Sequence, residues 1–285
     1  MNPPPPVESP APAAPQRSWR RFLASRWFPI VVGAWVVIFG VSAWIGIAHS
    51  TVTDREQTTV AAARPYVDEA VARVATAAAS GGDAAVAVSG FEQVGSCRVT
   101  VFRPGQRFQR ELVAVVAPGA ERTLMNRVAA ALPPGYHPTV RTVDPPRLTA
   151  DAGFYVQVTG TVVAPGEVRF VADTGDCRAP GDVTTADQPV SSSSGPARDV
   201  LDRLQLDTAS ISTAAVSCVD GGAVDSVQVR ADAWPGDLTQ ALAGLPDARV
   251  LVDTPRLYAY RSGDAQVAVR AHDDATIITA TTVCG

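Results

Sequence analysis

The hexapeptide VDPPRL at residues 143–148 recurs as VDTPRL at residues 252–257, and each copy stands between two cysteines. Cys97 precedes the first copy and Cys177 follows it; Cys218 precedes the second and Cys284 follows it. The following cysteines lie at nearly equal distances from their motif aspartates, Asp144 and Asp253. Four cysteines allow three pairings. A repeat that carries one pair per copy selects Cys97–Cys177 and Cys218–Cys284. A chain written this way is expected to fold as one small unit twice, each unit closed by its own bridge.

The flanking segments correspond as well. A helical pattern with a proline near its start precedes each first cysteine. Val67, Val71 and Val74 mark the first, and Val200, Leu201 and Leu204 the second. Strand alternation follows each cysteine, with turns expected at Pro104-Gly105 and Gly221-Gly222. A short amphipathic helix comes next, on Leu124, Val128 and Leu132 in one copy and Leu238, Leu242 and Leu245 in the other. Asp237 is placed to cap the second. VDxPRL reads as a strand. An alternating strand pair then turns at Pro165-Gly166 or near Asp273-Asp274. The expected fold class is α+β: an N-terminal transmembrane helix, then two tandem duplicated domains, each an antiparallel sheet with two helices packed on one face.

The transmembrane expectation rests on residues 27–48, WFPIVVGAWVVIFGVSAWIGIA, which hold no charge. As a helix they span roughly 33 Å, against a hydrocarbon core of about 30 Å. Arg17, Arg20, Arg21 and Arg26 flank only the N-terminal side. The positive-inside rule then keeps the N-terminus cytoplasmic and sends the rest across a cell membrane in a single pass. A cleaved signal peptide is the competing reading, with Gly46 and Ala48 small at plausible cleavage positions; the apolar run is long for one. Around it, residues 1–26 read as a disordered Pro-rich cytoplasmic tail and 49–63 as a juxtamembrane stalk. Residues 64–178 and 198–285 are the two extracytoplasmic domains, joined by a Ser/Pro/Gly-rich linker over 179–197. Ser42 and Gly46 form a small-xxx-small pair, so a homo-oligomer stays open.

From residue 49 onward the chain carries 27 acidic residues and 20 arginines, and it contains no lysine at all. That balance speaks against a basic nucleic-acid face. Abundant Ala and Val, only two Asn and arginine as the sole basic residue besides His point to a high-GC genome. In composition and topology the chain resembles the uncharacterised single-pass envelope proteins of high-GC actinobacteria. The resemblance implies an envelope location and brings no activity with it.

Catalytic signatures do not emerge. There is no G-x-S-x-G, no phosphate loop and no CxxC pair. His272, Asp273 and Asp274 are adjacent in an expected turn, where neighbouring side chains diverge instead of converging on a metal. No catalytic residue, metal or cofactor is expected. The candidate binding face is Tyr258 and Tyr260, two apart on one strand face, with Arg147 and Arg256 of the repeated motif as guanidinium donors. The expected function is a membrane-anchored extracytoplasmic interaction or ligand-binding module, a non-enzymatic component of a cell-envelope complex, whose partner is an envelope protein or ligand. A ligand sensor signalling through a partner and a cell-wall hydrolase are the alternatives.

Overall fold

The alternating segments of both copies fold as antiparallel sheet. The computed structural model describes residues 28–48, 58–100, 103–175, 177–179, 181–185 and 194–284. The expected tail over 1–26 lies outside the described residues, as do parts of the expected stalk and linker. Helix α1, Phe28–Ala48, has 21 residues. Its described side chains, over residues 29–44, are all exposed.

Residues 54–285 make one compact unit. Its first sheet follows helix α2 (Val60–Ala79) and contains β1 (Ala85–Val88), β2 (Glu92–Arg98), β3 (Pro104–Val115), β4 (Thr139–Arg141), β5 (Arg147–Asp151), β6 (Gln157–Ala164) and β7 (Glu167–Asp173). Helix α3 (Glu121–Ala131) interrupts it after β3. The strand order is β1-β3-β7-β6-β5-β4, with β2 also pairing β3. The second sheet follows α4 (Ser194–Leu204) and contains β8 (Thr208–Ser217), β9 (Ala223–Ala231), β10 (Arg249–Asp253), β11 (Leu257–Ser262), β12 (Ala265–Ala271) and β13 (Thr276–Thr282), with the short α5 (Leu238–Leu242) after β9. Its order is β10-β11-β12-β13-β9-β8. Read from the first hairpin, the two orders match strand for strand.

This architecture corrects the α+β expectation. The described fold is mostly sheet, thirteen strands in two antiparallel sheets, with few helices. Two causes enlarge the sheet. VDxPRL is not one strand but spans the connection between two: in the first copy it ends with Arg147 and Leu148 of β5, and in the second it runs from Val252 and Asp253 of β10 to Leu257 of β11. The opening strand of the first copy is broken into β1 and β2, which both pair β3. The transmembrane helix expected over 27–48 is corrected too. Among the described residues no helix is long and apolar enough to cross a membrane. The Pro104-Gly105 turn also moves, because those residues open β3 instead.

Helices and turns form where local chemistry directs them. Thr59 caps α2 by accepting the Ala62 N–H at 3.1 Å, and the alanine-rich face of α2 lies buried on the sheet. Asp237 caps α5 through the Thr239 N–H at 2.8 Å. Gly166 closes the β6–β7 hairpin at φ 80°, where a side chain would be strained. Helices α2 and α3 cover one face of the first sheet; α4 and α5 cover one face of the second.

Strands β11, β12 and β13 of the second sheet are buried on both faces. The sheet's outer face carries the cross-strand row Arg261, Gln266, Thr281 and Ser226. Edge strand β1 of the first sheet lies across this face. Gln266 Oε1 accepts the Val86 N–H at 3.0 Å, and Ser226 Oγ accepts that of Val88 at 3.3 Å. An apolar cluster of Ala85, Val115, Val252, Leu257, Ala259 and Ala268 seals the contact. Polar side chains of one sheet thus satisfy the open edge of the other.

Candidate functional site, the open face of the first sheet

Among the described residues, the matching outer face of the first sheet carries no such cover. Residues under the helices, among them Leu148, Val158, Phe170 and Leu112, alternate with residues pointing the other way. Those outward residues form rows across the strands. Asp151, Gln157, Asp173, Gln109 and Glu92 make one row, an alternation of carboxylate and amide. Arg147, Thr161 and Arg169 make another. Arg169 Nε stands 3.5 Å from Glu111 Oε2, between the two rows. Each residue of these rows is exposed or half-buried.

A pocket of about 360 Å³ opens at the carboxylate end of this face. Arg107, Asp151, Tyr155, Gln157 and Asp173 line it together with the Cys97–Cys177 disulfide. Its rim is a turn in which Gly153, Phe154 and Tyr155 all have positive φ, at 79°, 51° and 61°. Two consecutive aromatic residues in the left-handed region are strained, and the surroundings hold them there. Asp151 Oδ1 accepts the Gly153 N–H at 2.9 Å. The Phe154 ring stacks on Tyr66 with centroids 4.9 Å apart. Arg178, 2% exposed, sets its guanidinium 5.2 Å from the Phe154 centroid and 5.9 Å from that of Tyr155. It donates to the Phe154 carbonyl, and through Nε to the Thr174 carbonyl at 2.5 Å. Gly175 leaves room for the Tyr155 carbonyl where a Cβ would collide. Tyr155 is thereby exposed at the pocket mouth on a backbone clamped from below.

The expected disulfides are present: Cys97–Cys177 with Cα atoms 5.7 Å apart and Cys218–Cys284 at 6.2 Å. The tyrosine face is corrected. Tyr258 and Tyr260 are each 3% exposed and lie in the second core, their ring centroids 6.1 Å apart. Helices cover their side of β11, and the first sheet covers the other. Burial raises both phenols, Tyr260 to about 12, with Asp199 and Tyr258 adding to the shift at Tyr260. The two motif arginines occupy different elements, Arg147 in β5 and Arg256 in the β10–β11 connection. Arg147 belongs to the open face, whereas Arg256 Nη2 donates to Asp273 at 2.9 Å. Asp274 is likewise held by Arg230 at 2.6 Å. Among the described residues no group of three or more His, Cys, Asp or Glu is arranged for a metal.

Apart from Arg147, the open face is not legible in the sequence because its residues come from five strands. The one local signal was D-A-G-F-Y at residues 151–155, an aspartate two positions before a glycine and two aromatics. No protein-family model matches the chain, and comparison with curated proteins finds no match.

Proposed function

We propose that this chain is a non-enzymatic interaction module of the cell envelope, working at the outer side of the cell membrane and binding a polar envelope ligand on the open face of its first sheet. The carrying observation is the clamped Tyr155 at the mouth of the polar pocket. Backbone strain held by a buried arginine, next to mixed donors and acceptors, is what a preorganised binding site requires. Carboxylate and amide groups in one row suit hydroxyl or amide groups of a ligand, and Arg147 with Arg169 suits an anionic group beside them. Two disulfides support an oxidising compartment. The apolar exposed surface of α1 supports attachment to an apolar phase.

The test is photo-crosslinking in cells from a reactive amino acid at position 157, on the open face, and at position 219, exposed on the second sheet's first hairpin. Capture of one reproducible envelope component from 157, lost when Tyr155 is replaced by Gly, is the expected result. Equal capture from both positions, or none from 157, would sink the reading.

A further inference from the structure

We propose that two copies of this chain associate by antiparallel pairing of their β8 edges, joining two six-stranded sheets into one. Strand β8 holds in the second sheet the place that β1 and β2 hold in the first. The two edges are treated differently. The Val86 and Val88 N–H groups of β1 are taken by Gln266 and Ser226. Among the described residues, no group outside β9 bonds the backbone of β8 between Thr208 and Thr213. Every side chain over those six positions is exposed.

Edge strands are commonly protected by charge, proline, brevity, a bulge or a cover. β8 has no charge and no proline; α2 packs against it where Ala214 and Val216 are buried, and the six residues from Thr208 to Thr213 stay exposed. The strand's one irregularity is a register shift between Thr208 and Ser210, and beyond it the pairing to β9 is even. Ile211 is 61% exposed and stands opposite Val229, a residue of the second core. An uncharged strand meets its own copy without repulsion. A twofold axis through the pair sets identical residues on the same face, which brings Ile211 beside the partner's equivalent and extends the apolar layer across the junction. The unpaired backbone groups supply hydrogen bonds, as in strand addition generally.

All four native cysteines are engaged in disulfides, so an added cysteine is the only free thiol. Ser210→Cys, Ile211→Cys and Ser212→Cys are made one at a time in the full chain and oxidised in intact cells. Val163→Cys, in the exposed end of β6 on the first sheet, is the control. The expected result is a covalent homodimer on a non-reducing gel from one or two adjacent β8 positions, several-fold above the control. Adding Ile211→Lys to Ser212→Cys should remove it without changing the melting temperature, since the side chain is exposed. A dimer of equal yield from the control, no dimer from any β8 position, or a crosslink from β8 to a different polypeptide would each overturn the pairing.

Discussion

Gln266 reaches across from the second sheet to accept the backbone N–H of Val86, 180 positions earlier in the chain, at 3.0 Å. The side chain is 1% exposed. It fastens the edge of one repeat to the face of the other at a point from which water is excluded. Replacing it with Met keeps the volume and removes the acceptor. The orphaned N–H should cost about 1–3 kcal/mol, a fall of roughly 3–10 °C in melting temperature. Gln157→Met, on the open face of the first sheet, should change stability by less than about 0.5 kcal/mol. Thermal unfolding of the two variants side by side checks the contrast; equal losses would refute it.

Arg110 is fully buried beneath α2, its Nε 3.0 Å from Asp68 Oδ1 and its Nη1 donating to the Ser89 carbonyl at 2.9 Å. Asp68→Ala would leave a guanidinium in the core without that counter-charge, at a cost of about 3–5 kcal/mol. Arg110→Met removes the charge itself and should cost less than Asp68→Ala. Urea titration of both single variants and the double variant measures the coupling.

Tyr155→Gly separates binding from folding. The left-handed backbone costs a tyrosine about 1–3 kcal/mol that glycine does not incur. The variant should therefore melt no lower than the parent while losing ligand capture from position 157. A large drop in melting temperature would make Tyr155 a structural residue.

Tyr260 gives the unit an alkaline limit. Burial, reinforced by Asp199 and Tyr258, raises its phenol to about 12, against an ordinary value of 10.0. Only the unfolded chain loses this proton between those values. Its contribution to stability is therefore complete below pH 10 and declines as pH rises toward 12. Stability measured across that window should fall less steeply in Tyr260→Phe than in the parent.

Removing Cys97–Cys177 should act on both stability and site. The bridge closes a separation of 80 residues and lines the pocket. A chain-entropy argument puts its contribution at about 4 kcal/mol. The double serine variant should unfold at lower urea and lose capture from position 157. Removal of Cys218–Cys284, remote from that pocket lining, should lower stability with capture retained under native conditions.

Some features were legible because they are local or because the repeat made them comparable. The matched cysteines implied their pairing. Asp237 announced its cap, and Pro165-Gly166 and Gly221-Gly222 their hairpins. The motif itself misled. Leu148 lies under the helices of the first sheet, whereas Leu257, its counterpart letter for letter, lies between the two sheets. Tyr258 and Tyr260 consequently turn toward α4 and α5, into the core. Strand side chains alternate with period two, so a shift of one residue in the connection reverses every face that follows.

The sequence by itself determined the hairpin turns at Pro165-Gly166 and Gly221-Gly222, the Asp237 cap and which cysteines join. Those choices depend on residues close together or on matched spacing. Only the tertiary structure decided which faces are covered. The outer row of the second sheet is sealed by β1, and the rows of the first sheet stay open to solvent. Alternation reports that a strand has two unlike sides. It does not report what will lie against each, because that depends on contacts such as Val86 with Gln266, made between residues that local pattern cannot connect.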